Sequence, residues 1–570
     1  MQRLFLAIFL FLCLISFHSF AQGTHLQVDS LLRTRGEVYF SFFLNDMSKL
    51  NDLSSIVSID QVKDGRVHAY ANRKEWNNFL SLGIEFQLLT PPGCLIPESE
   101  LRTGMVSVDV SGRTIWNFYP TYDQYIGFMA GFASSYPAIC KLDTIGLSIQ
   151  GRLLLAVKIS DNVNNEESEP QFFYTSSIHG DELTAYVEML HLIDYLLLNY
   201  GIDPRITDLV NNTEIYINPL ANPDGTYHGG NNTVYGAIRY NANNIDLNRN
   251  YPDPEDGPHP DGNPWQMETD AFMAYAGAHS FIMSANFHGG AEVFNYPWDT
   301  WATLHADDDW WQFTGREWAD TVHQYAPPGY FDDLQNGITN GYQWYTINGG
   351  RQDYMNYWHS CREVTLEISQ IKIIPTNQLI NFWNWNWRSF LNYIEQANYG
   401  FHGIITDTVT GSPLVAKVLI LGHDVLNSHV FSRLPHGYYS RPIFEGNWMV
   451  TFSADGYFSK YITIPVSKWN TTHVDVQLRP HNFGSQDHSG TRILVYPNPA
   501  DGHLQILLPF ISTEEWRVGV LTLQGNLVQS YQFKTHLSQH SLVLNPLPSG
   551  LYLIKLENQQ YCWFDKIIMK

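Results

Sequence analysis

The feature that most restricts how this chain can fold is an alternation, between residues 153 and 397, of short strand-like runs with longer helix-like ones. The strand-like runs are LLLAVKIS (153–160), QFFYTSSI (171–178), EIYINPL (214–220), FIMSANFH (281–288) and REVTLEIS (362–369). Between two of them, the stretch from Leu183 to Tyr200 carries Leu183, Val187, Leu190, Ile193 and Leu197 at helical spacing, and Gly201 follows as a C-terminal stop. A last helix, NQLINFWNWNWRSFLNYIEQANYG, closes the region near Gly400. Strands alternating with helices predict an α/β domain.

The rest of the chain has a different texture. A length of 570 residues exceeds what one core usually holds and predicts roughly three to five units. Residues 1–21 have Arg3, an apolar run and a small-residue cleavage site, and are read as a signal peptide. The competing account, an uncleaved membrane anchor, is weakened by the short run and by His18; no other run is long enough to span a bilayer, so no transmembrane segment is expected in the mature chain. Residues 22–112 carry no cluster to which chemistry can be assigned and form an accessory or propeptide-like domain. Residues 113–397 hold the α/β region. From 398 to 480, apolar and polar residues alternate between Gly, Pro, Asn and Asp turns, as in a small β-sandwich. Residues 481–492 are polar and read as a linker, and 493–570 form a second short-stranded unit. The formal net charge is −23 with no Lys/Arg cluster, which argues against nucleic acid as a partner. After loss of Cys13 with the signal, Cys94, Cys140, Cys361 and Cys562 are widely spaced; they specify no pairing and argue against a thiolate zinc site.

Within the α/β region, SSIHGDELTAYVEML (176–190) places His179 and Glu182 three apart where a strand gives way to a helix. Alone, such a pair is as well explained by acids complementing a helix dipole. His288, in SANFHGGAEV, lies at the C-terminal end of another predicted strand beside two glycines, where open α/β sheets place their ligand sites. Two imidazoles and one carboxylate make a three-ligand zinc site with an open position, the catalytic arrangement. Such a metal polarises a carbonyl and acidifies its water. Glu367 in REVTLEIS is the candidate base; its alternative is a solvent-facing strand residue, which alternation alone does not decide.

On these and further motifs, residues 117–397 resemble a zinc carboxypeptidase domain of the regulatory subfamily that contains types D, E, M and N. IHGDE, NPLANPDG, IRYNANNIDLNRNYPD, SANFHGGAEVFNYPWD, GITNGYQWYTINGGRQDY and EVTLEIS follow in family order. The resemblance implies a mixed sheet flanked by helices, followed by two small all-β sandwich domains. It implies one Zn2+ on His179, Glu182 and His288, a zinc-activated water with Glu367 as general base and later proton donor, and Arg239 stabilising the oxyanion. Asn248, Arg249 and Tyr345 match the residues that hold a substrate's terminal carboxylate, a task suited to the planar fork of arginine. Peptide or protein C-termini are the implied partners.

Asp299 of NYPWD resembles the position where this subfamily keeps an aspartate for C-terminal Arg or Lys, and Gln352 of GGRQD fits the same pocket. Arg351 and Glu292 depart from the family pattern near that pocket. Residues 398–480 resemble the transthyretin-like β-sandwich of the subfamily. The terminal unit, with VYPNPADG and LPSGLYLIKLENQQYCWFDKIIMK, resembles the type A sorting domains of Bacteroidetes secreted proteins. That likeness implies export machinery as a partner and a secreted or cell-surface location reached through the periplasm; an adhesive β module is the alternative. For the whole chain, two other functions stay open: a zinc amidase of related fold acting on modified or cell-wall peptides, and an inactive binding-only relative.

Overall fold

A computed structural model of the chain describes residues 26–481, 493–508, 515–523, 525–534, 539–558 and 562–570. The signal segment 1–21 and nearly all of the linker lie outside the described residues. The described residues form two compact units: 26–405, 417–451 and 461–475 in one, and 406–416, 452–460 and the described residues from 476 onward in the other.

The first unit begins with a four-stranded antiparallel sheet of β1 (Val38–Phe43), β2 (Ser58–Lys63), β3 (Arg66–Ala71) and β4 (Phe86–Leu88), in the order β2-β3-β1-β4. Strand β2 is therefore an edge strand. Helix α1 (Arg73–Ser81) covers one face; it starts in a capping box, with Asn72 accepting from the Lys74 and Glu75 amides and Glu75 accepting from Asn72 N. Its Trp76 and Phe79 pack on Phe40 and Phe42 of β1.

The same unit contains the expected α/β domain, built on an eight-stranded mixed sheet. Its strands are β5 (Cys140–Leu147), β6 (Leu153–Ile159), β7 (Gln171–Ser176), β8 (Glu214–Asn218), β9 (Phe281–His288), β10 (Glu292–Tyr296), β11 (Ile338–Asn340) and β12 (Arg362–Ile368), ordered β11-β10-β12-β9-β7-β8-β6-β5. The central strands β12, β9, β7 and β8 run parallel and are covered on both faces. One face packs on α2 (Tyr122–Ser135), α3 (Thr184–Asn199), α5 (Asp308–Tyr325) and α7 (Leu379–Gln396). The other packs on α4 (Met267–Ala278) and α6 (Arg351–His359).

Helix α3 buries Leu190, Leu192, Ile193, Leu196 and Leu197, each worth about 1.5–3 kcal/mol relative to exposure. It starts at Thr184 with no acid in its first turn. Asp181 and Glu182 thus precede the helix instead of complementing its dipole, and the motif lies in the loop before it.

The stretch expected to be one sandwich at 398–480 is shared between the two units. In the first, residues 401–404 pair antiparallel with Tyr438–Arg441, and residues 400–402 pair parallel with Thr471–His473. The second contains the terminal strands, in sheets of three and four around Trp516, Val518, Ile554 and Leu556. Cys94, Cys140 and Cys361 are free thiols. Among the described residues, no helix is long and apolar enough to cross a membrane.

Candidate active site

The loop between β7 and α3 is fixed by close packing. Gly180 lies against the Gly225 backbone, where a Cβ would come within 2.4 Å, so only glycine fits. Its amide donates to Arg239 O at 3.1 Å, and Thr226 Oγ1 donates to its carbonyl at 2.9 Å. Held this way, the loop turns His179 and Glu182 toward the end of β9, where His288 is the last residue.

The three side chains are buried, with donor atoms lying within 4.8 Å of one another. His179 Nδ1 is 3.0 Å from Glu182 Oε1, and His288 Nδ1 is 2.8 Å from Glu182 Oε2 and 3.1 Å from His179 Nδ1. Each ligand has an outer partner. The Asp246 carboxylate lies 3.0 Å from His179 Nε2, Asn286 Nδ2 lies 2.9 Å from His288 Nε2, and Lys372 Nζ donates to Glu182 Oε1 at 2.7 Å. Burial pushes the His288 imidazole down to about 4, against the pull of Glu182, so the ring is neutral and able to bind a metal. Burial alone would raise the Glu182 carboxyl, but His179 and Lys372 more than offset it and hold it well below the usual carboxylate range. Two imidazole nitrogens and one carboxylate, with no thiolate, fit a catalytic zinc ion.

Strand register brings Glu367 to the same place. It pairs with His288 across the parallel β9–β12 ladder and with Val293 on the other side. Its Oε2 is shielded from solvent and has no hydrogen-bond partner among the described residues. Burial, reinforced by the negative charge of Glu182, pushes its carboxyl well above the usual range. The solvent-facing alternative is thus set aside. Arg239 is buried, with Nε 3.0 Å from Asp246 Oδ2 and Nη1 3.4 Å from Glu182 Oε1. Arg249 donates Nη1 to Asn248 O at 2.9 Å, while its Nε and Nη2 are buried without a partner among the described residues. Asn248 Oδ1 accepts from Arg351 N at 2.9 Å.

Asp299 lies deeper, with Oδ1 accepting from Gln352 Nε2 at 2.9 Å and Asn295 Nδ2 at 3.2 Å. Burial pushes its carboxyl up to about 7, with Asn295 and Arg249 pulling the other way. Arg351 does not add a free cation beside it: Nη2 is 3.1 Å from Glu363 Oε2, and the guanidinium lies over the Phe173 and Phe272 rings. Glu292 accepts from Phe331 N at 3.1 Å and Gln370 N at 3.2 Å, so its carboxylate is committed to backbone groups.

The cleft also takes in residues of the N-terminal sheet, which the sequence-based site lacks. Ile59 and Asp60 of β2 line the same cavity as His179, Glu182 and Glu367, and about 20 Å³ of free volume remains there. Ser58 Oγ donates to Asp246 Oδ2 at 2.5 Å, and Asp60 Oδ1 lies 2.5 Å from Lys372 Nζ. Asp246 and Lys372 stand inside or beside quoted motifs; their offsets from Asn248 and Glu367 were the available signals. Nothing around Asp60 marks it in the sequence.

A mixed α/β sheet with two imidazoles, a carboxylate and a neighbouring glutamate at its strand ends defines a one-metal hydrolase centre. Comparison with known proteins narrows this. The description "Zinc carboxypeptidase" matches residues 125–389, and "Secretion system C-terminal sorting domain" matches 494–570. Mouse carboxypeptidase M is 34% identical over 355 residues, 59% of this chain and 79% of that protein. Mouse carboxypeptidase D is 35% identical over 447 residues, covering 72% of this chain; this chain spans about a third of that protein's length (31%). The crystal structure of carboxypeptidase A from Helicoverpa armigera shares the fold, with a TM-score of 0.52 at 18% identity, over 64% of this chain and 98% of that one. This chain belongs to the zinc carboxypeptidase family, and it carries a C-terminal sorting domain of a secretion system.

Proposed function

We propose that this chain is an exported zinc metallocarboxypeptidase that hydrolyses the last peptide bond of peptides and proteins and prefers C-terminal Lys or Arg. The observation that carries this reading is the meeting of His179, Glu182 and His288 beside a Glu367 oxygen and Arg249 N–H groups that have no partner among the described residues. Held by the three ligands, zinc supplies Lewis acidity and a more acidic water.

The chain's own residues do the rest. The Nε and Nη2 groups of Arg249, with Asn248 and Tyr345, grip the terminal carboxylate and so restrict cleavage to the last bond. Glu367 Oε2 takes the proton from the attacking water and returns it to the leaving amine; burial keeps the carboxyl basic enough for both transfers. Arg239, fixed by Asp246, presents positive charge to the carbonyl oxygen as it becomes anionic. Asp299, steadied by Gln352 and Asn295, pairs with a cationic side chain, whereas neutral residues would leave it uncompensated.

Residues 22–112 act as a propeptide-like cover, a role supported by Ile59 and Asp60 within the cleft. Entry to the periplasm through residues 1–21 and passage through a type IX system directed by 493–570 complete the reading. Peptides ending in Arg, Lys, Leu or Glu, offered to the full chain before and after limited proteolysis, with and without a chelator, test it. Release of Arg and Lys only, abolished by chelation, is expected. No release from any peptide by the processed, metal-loaded protein would reject it.

A further inference from the structure

Lys372 is 3% exposed and lies between two carboxylates, Glu182 Oε1 at 2.7 Å and Asp60 Oδ1 at 2.5 Å. Arg239 is the other cation beside Glu182, and it reaches Oε1 only at 3.4 Å because Asp246 engages its Nε and Nη2. Tyr39 OH donates to Asp60 Oδ2 at 2.8 Å, so Asp60 is itself held in place. Lys372 is fixed at both ends, since its carbonyl accepts from Leu183 N, the residue after Glu182, at 2.8 Å. Gly290, at φ +132°, permits this approach: a Cβ there would come within 3.4 Å of Lys372 Cε and 3.3 Å of Asp60 Oδ1.

His179 Nδ1 also lies 3.0 Å from Glu182 Oε1. A histidine nitrogen that binds metal has no proton to donate. Lys372 then remains the short donor to Oε1, while Oε2 is the oxygen turned toward His288. We propose that Lys372 is a positioning residue for the metal centre: its ammonium occupies Glu182 Oε1 and fixes the carboxylate so that Oε2 is presented beside His288. Asp60 of the N-terminal sheet shares that ammonium, so the covering strand and the metal ligand are tied through one side chain.

This inference rests on the reading of His179, Glu182 and His288 as ligands, but its test needs no substrate. Zinc affinity by chelator competition and the visible ligand-field spectrum of the Co2+-loaded chain are measured for wild type, Lys372→Met, Lys372→Gln and the charge-balanced Lys372→Met/Asp60→Asn pair. Loss of an outer partner typically costs about 10–100-fold in metal affinity. A loss of that size is expected in both Met variants, with an altered Co2+ spectrum and partial recovery in the Gln variant, which keeps an N–H donor. Wild-type affinity and spectrum in the folded double variant would overturn the proposal and reduce Lys372 to a tether for Asp60. A Lys372-dependent metal site in a protein that cleaves no peptide would instead sink the peptidase reading and leave this one standing.

Discussion

Among the described residues of the first unit, two clusters hold His and carboxylate groups close enough to gather a metal: the buried His179, Glu182 and His288, and the partly buried Asp307, His423 and Asp424. Their surroundings separate them. Asp307 receives Arg362 at 2.9 Å, Arg441 at 2.7 Å and His423 at 2.8 Å, and Arg441 also reaches Asp424 at 2.7 Å. Two guanidinium groups saturate the carboxylates, so the cluster is already charge-balanced. It ties α5 and β12 to the strand at Tyr438–Arg441. Around His179, by contrast, ligand nitrogens face one another, and the nearby Glu367 and Arg249 keep polar atoms with no partner among the described residues. Proximity of ligand types marks both clusters; what separates them is that the carboxylates of the Asp307 cluster are already paired with guanidinium groups, whereas the His179 cluster turns its ligand nitrogens toward one another beside an unpartnered carboxylate oxygen.

The comparison can be broken in order of effect. Glu367→Gln should lower kcat by about 10²–10⁴-fold with unchanged melting temperature and metal content, read by steady-state assay beside calorimetry. Asp307→Asn should do the reverse: it leaves buried Arg362 without its carboxylate and Arg441 with Asp424 alone, and should cost about 3–5 kcal/mol of stability in denaturant titration, with zinc retained. Arg249→Ala removes charge-assisted bonds worth about 1.5–3 kcal/mol, so kcat/KM should fall roughly 10–150-fold for peptides with a free C-terminus. The smallest change concerns preference. Asp299 is neutral below about 7 and anionic above it, so the Arg-over-Leu ratio of kcat/KM should rise as pH passes upward through that value. Asp299→Asn should lower the ratio by about tenfold or more and flatten its pH profile.

Much of the His179 cluster was legible in the sequence. His179, Glu182, His288 and Glu367 sit at strand ends or in strands whose limits follow from local pattern, and β9 spans the expected residues 281–288. Whether Glu367 faced the site was not legible, because a central parallel strand is covered on both faces and carries no simple alternation; the register with His288 decides it. Lys372, Asp246 and Asp60 act through partners distant along the chain, and a single charged residue gives no local sign of such a partner. The Asp307 cluster was missed for the same reason, since its arginines lie in separate elements. Nor does the sequence show that Arg351 is paired, because its partner Glu363 lies on β12, in a separate element.

The most direct test counts metal ions. Elemental analysis of the purified chain should find one equivalent of zinc, absent from His288→Ala and retained in His423→Ala. Zinc kept by the His288 variant, or lost from the His423 variant instead, would contradict the account.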